Sequence, residues 1–346
     1  MSETRYLGLS ARNRRAALEV AASRSGRSAH LLEKDVWVVE ALRGLFDAPF
    51  GGDLAFKGGT SLAKAYGAIR RFSEDIDITY DIRTLAPELT VDAGEDALPP
   101  TRSQERRWTR EIRARLASWV RDRARPALEE CLAASGSEAR LRAEGDRLHV
   151  AYEPLFGPGG FVRPEVMVEF GARSTGEPRE VRPVSCDAAE HLPELAFPEA
   201  RPSVLLAERT FWEKATAIHV FCLQERRRGE RLSRHWHDLV RLDDAGIAAR
   251  ALVDRTLALA VANHKAAFFP EKDAAGGRID YEAAVSGGLR LVPDGPAREV
   301  LADDYRRMTE DGMLLDDGER FEEIMERCAG IEDQVNRTGE DDRSPS

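Results

Sequence analysis

The stretch from Leu54 to Asp81 limits what this chain can become more than any other. Leu54-Ala55-Phe56 is short and apolar, the pattern of a buried strand. Gly58-Gly59 follows, and a glycine pair lets the backbone turn sharply and approach a ligand closely. Thr60 or Ser61 then suits the N-cap of a helix running through Leu62, Lys64 and Tyr66. A strand feeding a glycine turn and a helix N-terminus presents free backbone N–H groups, which suit a phosphate. Thirteen residues separate Ser61 from Asp75, where Asp75-Ile76-Asp77-Ile78-Thr79-Tyr80 begins. Strand side chains alternate, so Asp75 and Asp77 share one face while Ile76, Ile78 and Tyr80 take the other. Two neighbouring carboxylates repel unless cations lie between them, and hard oxygen donors suit Mg²⁺ carrying substrate phosphates. A Gly-Gly turn alone, or an Asp-x-Asp alone, is common on ordinary surfaces; their order here is far more specific.

The whole chain has 346 residues, enough for one large or two ordinary domains. No run approaches the roughly 20 apolar residues of a membrane span. The N-terminus lacks a basic-then-apolar signal pattern, so a cytoplasmic protein without a membrane partner is expected. Cys131, Cys186, Cys222 and Cys328 are isolated and read as reduced thiols. A net charge of −10 argues against nonspecific coating of nucleic acid but permits a local basic surface. Arginine crowds residues 102–125 and 226–234, while acids dominate after Asp303.

Periodicity predicts helices over 11–23 and 28–47, the second with Leu32, Val36, Val39, Leu42 and Phe46 as its apolar stripe and Ser28 as its cap. Within it, Glu33-Lys34-Asp35 reads either as a charged face above that stripe or as a direct part of the chemistry. Residues 84–101, with Pro87, Pro99 and Pro100, read as a loop able to cover a site. A long helix follows over 102–134, burying Trp108, Ile112, Leu116 and Val120. Its arginines, among them Arg106, Arg110 and Arg113, are either a solvated face with Glu–Arg pairs or an electrostatic track for RNA.

A hairpin is expected over 139–152, turning at Glu144-Gly145-Asp146, then a Gly-Pro-Gly-Gly loop at 157–160 without chemistry. In the strand 164–171, Val166, Val168 and Phe170 alternate with Glu165, Met167 and Glu169; an acid beside buried sheet needs a partner or a metal. One further strand is expected at 180–186, then a connection from His191 to Pro202. From Val204 the chain reads as helical. Lys214 falls in the apolar stripe Ala207, Phe211, Ile218, Phe221, where it must meet an anion or reach back to water. His235-x-His237 lacks a third soft ligand at useful spacing. Helices over 246–265, 279–287, 294–310 and 318–335 follow, with a polar, disordered tail expected at 337–346.

Lys57-Gly58-Gly59-Thr60-Ser61-Leu62 followed by Arg71-Phe72-Ser73-Glu74-Asp75-Ile76-Asp77 resembles the first motif of the DNA polymerase β nucleotidyltransferase superfamily, in the wording of its AbiEii/AbiGii toxin branch with the MenT toxins. Glu208-Arg209-Thr210-Phe211-Trp212-Glu213-Lys214 resembles that branch's lysine motif, and Arg234-His235-Trp236-His237-Asp238-Leu239 its last motif. Glu33-Lys34-Asp35-Val36-Trp37 is similar to a recurrent N-terminal feature of the group.

The resemblance implies an α+β nucleotidyltransferase fold, a mixed sheet flanked by helices over 1–200, then a helical domain over 201–336. It implies a toxin of a toxin–antitoxin or abortive-infection system that moves NMP from NTP to RNA, such as a tRNA 3′ end, opposed by a cognate antitoxin. Asp75, Asp77 and a third carboxylate would hold two Mg²⁺ ions; Glu169 is similar to that position, with Glu165 as competitor. Gly58, Gly59, Thr60, Ser61 and Ser73 would receive the phosphates, Lys214 would contact them, and Asp238 would be the functional aspartate of the last motif. Arg234 joins Arg106, Arg110 and Arg113 as an RNA contact. Two other outcomes stay open: a nucleotidyltransferase acting on a protein Ser, Thr or Tyr, and a nucleotide-binding protein without turnover.

Overall fold

Strand and helix alternate along the chain as periodicity expects, but the sheet recruits strands from distant segments. The computed structural model describes residues 4–157, 163–224, 232–310, 314 and 318–341. Most of the loop at 157–160, the arginine run before Leu232 and the last five residues lie outside them. Two units make up the chain: residues 1–65, 73–92 and 107–205 form the first, and 66–72, 93–106 and 206–346 the second.

The first unit is built on seven strands: β1 (Leu54–Lys57), β2 (Ile76–Tyr80), β3 (Arg140–Glu144), β4 (Arg147–Ala151), β5 (Glu165–Gly171), β6 (Arg179–Val181) and β7 (Ser203–Leu205). Their order is β3-β4-β5-β2-β1-β7-β6. β2 runs parallel to β5 and antiparallel to β1, and β7 runs parallel to β1, so the sheet is mixed. Alternation holds: Val166, Val168 and Phe170 are buried on β5, and Ile76, Ile78 and Tyr80 on β2. The β3–β4 hairpin turns at Gly145, whose φ of +61° favours glycine.

Helices α1 (Ala11–Ser25) and α2 (Ala29–Phe46) match their expected ranges. The reading of Glu33-Lys34-Asp35 as a charged face is corrected: all three are buried, because each charge finds a partner within the unit. Helix α3 (Gly58–Lys64) follows β1 directly. The loop expected at 84–101 contains two single-turn helices, Ile82–Leu85 and Pro87–Thr90, the second opened by Pro87, whose fixed φ suits a first helical position. The long helix is present as α4 (Arg102–Trp119) and α5 (Arg125–Ala134), joined by a π-helical turn at Val120–Ala124. Pro126 supplies no N–H to the ladder there, and the wider turn absorbs that loss. Trp108, read as core, is buried.

Instead of one strand over 180–186 there are two short ones, β6 in the sheet and Val184–Ser185 paired with Glu199–Ala200 outside it. Ser203–Leu205, read as the start of a helix, is β7. The second unit contains α6 (Ala207–Gln224), α7 (Arg234–Asp244), α8 (Ile247–Val253), α9 (Arg255–Phe268), α10 (Tyr281–Val285), α11 (Gly295–Glu310) and α12 (Phe321–Asp341). The single helix expected over 246–265 is split because Asp254 caps α9, accepting the Leu257 N–H at 2.9 Å. The expectation of a disordered tail over 337–346 is corrected at its start, because helix α12 continues through residues 337–341. No helix among the described residues is long and apolar enough to cross a membrane.

Aromatic packing joins α4 to the sheet. Trp119 stacks on Tyr80 at 4.3 Å and meets Phe50 and Phe170 edge-on at 5.0 and 5.5 Å. Trp119→Ala removes all three contacts and is expected to cost about 3 kcal/mol. Urea unfolding measures this, and a loss under about 1 kcal/mol would show that the cluster does not hold α4.

Candidate active site

Asp77 stands where three local choices meet. On β2 it faces Lys57 of β1 on one side and Glu169 of β5 on the other, as direct register partners. In a parallel pair, register partners leave the same face, so the Asp77 and Glu169 side chains are neighbours. Its third neighbour is the turn after β1. Gly58 has a φ of +80°, and a β-carbon there would lie 2.1 Å from Asp77 Oδ2. Glycine is therefore required twice over, for the backbone and for the carboxylate above it.

Thr60 and Ser61 were expected to cap α3. The helix instead begins at Gly58, with Lys57 in the cap position, and both hydroxyls serve other bonds. Thr60 Oγ1 donates toward the Asp75 carbonyl and lies 2.9 Å from Ser73 Oγ, tying α3 to the approach of β2. Ser61 Oγ donates to the Gly58 carbonyl at 2.9 Å, closing the turn. Gly58, Gly59, Thr60, Ser61, Ser73, Asp75, Asp77 and Glu169 thus all belong to the first unit, on α3, β2, the segment before it, and β5.

The competitor Glu165 lies at the start of β5, and His149 Nδ1 meets its Oε1 at 2.9 Å. Glu169 pairs with Arg147 at 3.2 Å and is 44 % exposed. Among the described residues no three carboxylate, histidine or cysteine groups converge as a metal site. The donors nonetheless fit a hard divalent cation: they are carboxylate oxygens, two are adjacent in register, and the ion pair of Glu169 with Arg147 is half-exposed.

Lys214 and Asp238 lie in the second unit, at a buried charge cluster. Asp238 is fully buried; Arg71 grips it with Nε and Nη2 at 2.6 and 2.8 Å, and Lys214 Nζ donates to Oδ2 at 2.8 Å. The anion that the stripe position of Lys214 demanded is therefore Asp238. Burial alone would raise the Asp238 pKa, but Arg71 and Lys214 outweigh it and hold the carboxyl well below its usual range. Burial pulls Lys214 down from the usual lysine value against the attraction of Asp238, and Arg71 adds to that pull. His235 stays neutral, its pKa pressed well below normal by burial, then by Lys214 and Arg234.

Arg71 escaped sequence reasoning as a partner of Asp238. It stood in the first motif, but its partner is 167 positions away, beyond any local period. Arg147 escaped for the same kind of reason, since the antiparallel pairing of β4 with β5 sets it against Glu169. Along α4 and its continuation, Arg115 and Arg125 form i,i+4 pairs with Glu111 and Glu129, as a solvated face would. Arg106, Arg110 and Arg113 are exposed.

The family model described as nucleotidyl transferase AbiEii toxin, type IV toxin–antitoxin system, matches residues 40–327. No curated protein matches the sequence. Among solved structures, the crystal structure of JHP933 from Helicobacter pylori is similar, at 14% identity and a TM-score of 0.44, over 91% of this chain and 95% of that one.

Asp238→Asn leaves two buried cations with one neutral partner and is expected to cost about 3–5 kcal/mol. The pH dependence has a definite sign. A depressed folded pKa means the unfolded chain binds more protons as acid is added, so the contribution is complete above the ordinary Asp value of about 3.9 and fades as pH falls through the folded value. Urea unfolding at several pH values should show the wild-type advantage over Asp238→Asn constant above about pH 5 and shrinking below about pH 4. A constant advantage down to pH 2 would contradict it.

Proposed function

Because the chain belongs to the AbiEii family of nucleotidyltransferase toxins from type IV toxin–antitoxin systems, we propose that it transfers a nucleotide from an NTP to the 3′ end of an RNA, a tRNA being the favoured acceptor. The observation that carries this reading is the placement of Asp77, above the Gly58 turn and beside Glu169. A carboxylate beside a glycine turn that leads into a helix N-terminus suits a metal-bridged triphosphate.

In the proposed reaction the RNA 3′-hydroxyl oxygen attacks the α-phosphorus. The bond from that phosphorus to the bridging oxygen breaks, and pyrophosphate leaves. The hydroxyl proton passes to a carboxylate, for which Glu169 is the candidate; its half-exposed pair with Arg147 leaves it free to turn. Asp75, Asp77 and Glu169 would hold Mg²⁺, which when bound offsets the triphosphate charge. Amides from Gly58 to Ser61 receive phosphate oxygens. Ser73, whose hydroxyl lies 2.9 Å from Thr60 Oγ1, would turn its one proton to a phosphate oxygen. Lys214, by its motif, neutralises charge on the pyrophosphate, with Asp238 keeping the buried cation in place. Exposed Arg106, Arg110 and Arg113, with Arg234, favour RNA as the acceptor. Family membership also implies an antitoxin counterpart.

Purified protein, Mg²⁺, total cellular RNA and each α-labelled NTP in turn test this. Label is expected in an RNase-sensitive, tRNA-sized band and is lost in Asp77→Ala. Gly58→Ala, which drives a methyl into the Asp77 carboxylate, is expected to lose about 100-fold in kcat/KM. Lys214→Met should lose a similar factor in kcat. RNase-resistant label on a protein band would replace RNA by a protein hydroxyl as the acceptor. Undiminished label in Asp77→Ala would remove Asp77 from the chemistry.

A further inference from the structure

The buried run Glu33-Lys34-Asp35 on α2 has no part in the chemistry above, yet its bonds reach the frame of that site from three sides. Lys34 is 2% exposed. Its Nζ donates to Glu74 Oε2 at 2.5 Å and to the Arg163 carbonyl at 3.1 Å. Glu74 immediately precedes Asp75, and Arg163 stands two residues before β5 begins. One ammonium therefore binds the entrances of two strands, β2 with Asp77 and β5 with Glu169.

The flanking residues act on adjacent pieces. Asp35 Oδ1 meets Lys64 Nζ at 2.6 Å, at the last residue of α3, and its Oδ2 accepts the Asp187 N–H at 2.6 Å. Glu33 Oε1 accepts the Leu155 N–H at 2.9 Å, in the segment between β4 and β5. Below them Trp37 stacks on Tyr152 at 5.1 Å, fixing the same segment by its ring.

Burying a lysine is costly, and a greasy side chain at position 34 would pack α2 at no such cost. What the ammonium offers instead is two directed bonds, one to the residue before Asp75 and one to the segment that leads into β5. Parallel pairing of β2 with β5 sets which carboxylate stands beside Asp77, and it begins at Ile76, two residues after Glu74, and at Val168, five residues after Arg163.

We propose that Lys34 is a positioning residue for nucleotidyl transfer: through Glu74 and the Arg163 carbonyl it sets β2 and β5 so that the carboxylates of Asp77 and Glu169 stand side by side, an inference that rests on the reading of the site given above. Lys34 touches neither nucleotide nor acceptor. Its loss loosens the carboxylate pair while the glycine turn and the sheet core persist.

Lys34→Met keeps the length of the side chain and fills its space. Glu74→Gln, at a side chain 24% exposed, is the second variant, and circular dichroism checks that each variant is folded. Both are assayed with labelled NTP and total RNA beside wild type and Asp77→Ala. Expected for each folded variant is a kcat about 10-fold lower and a Mg²⁺ half-saturation about 10-fold higher, with little change in the KM for NTP. Lys34→Arg is expected to recover most of the loss, and the double variant to lose no more than Lys34→Met alone, since both changes cut one bond. Independently of activity, amide exchange should quicken at Ile76 and Val166 and stay unchanged in the β3–β4 hairpin. Wild-type kcat and Mg²⁺ dependence in Glu74→Gln, with Asp77→Ala inactive, would overturn the proposal alone. An active Asp77→Ala would overturn the site itself, and the role of Lys34 with it.

Discussion

A single steric fact orders the first unit: the Asp77 carboxylate occupies the space a β-carbon on Gly58 would need. The turn after β1 and the second aspartate of β2 are therefore one feature. Because β1 and β2 are antiparallel partners through Lys57 and Asp77, the turn and the carboxylate are held at that spacing by ladder hydrogen bonds, which are stiffer than side-chain contacts. Parallel pairing of β2 with β5 then brings Glu169 to the same face. A slip of one residue in either pairing would turn Asp77 or Glu169 to the opposite face, so register is where specificity is won.

The second unit meets a different demand by a different route. Asp238, Arg71 and Lys214 form a cluster of one anion and two cations away from water. The bidentate grip of Arg71 fixes the plane of the carboxylate, and Lys214 takes the remaining lone-pair direction. Such a cluster adds little net stability, since desolvation offsets attraction, but it leaves the lysine in one orientation. A cation at a stripe position of α6 is tolerated only because that anion exists.

Much of this was legible from the order of residues. Alternation around Asp75-Ile76-Asp77 placed Ile76 and Ile78 in the core, and the 3.6-residue period marked α1, α2, α4 and α6 within a few residues. What misled was local ambiguity. Thr60 and Ser61 suit a helix cap in general, but here the helix begins two residues earlier and their hydroxyls tie α3 to the segment before β2. Glu33-Lys34-Asp35 looked like solvent-facing charge because sequence shows charges and not their partners, which come from residues 64, 74 and 155. Ser203–Leu205 was too short to read as a strand and became one only by pairing with β1 and β6.

The sequence by itself determined the elements that depend on neighbours a few residues apart: the strand, glycine turn and helix at 54–64, the strand that carries Asp77 just after Asp75, the long arginine-rich helix, and the motifs that mark the AbiEii family. Those follow from backbone sterics, side-chain alternation and helical period, which act over short distances along the chain. Only the tertiary structure decided which groups answer one another. It chose Glu169 over Glu165 as the neighbour of Asp77, gave Asp238 to Arg71 and Lys214, and buried Lys34 against Glu74. Those choices turn on strand register and on matching each buried charge with an opposite one, and both are set between segments that the sequence keeps far apart.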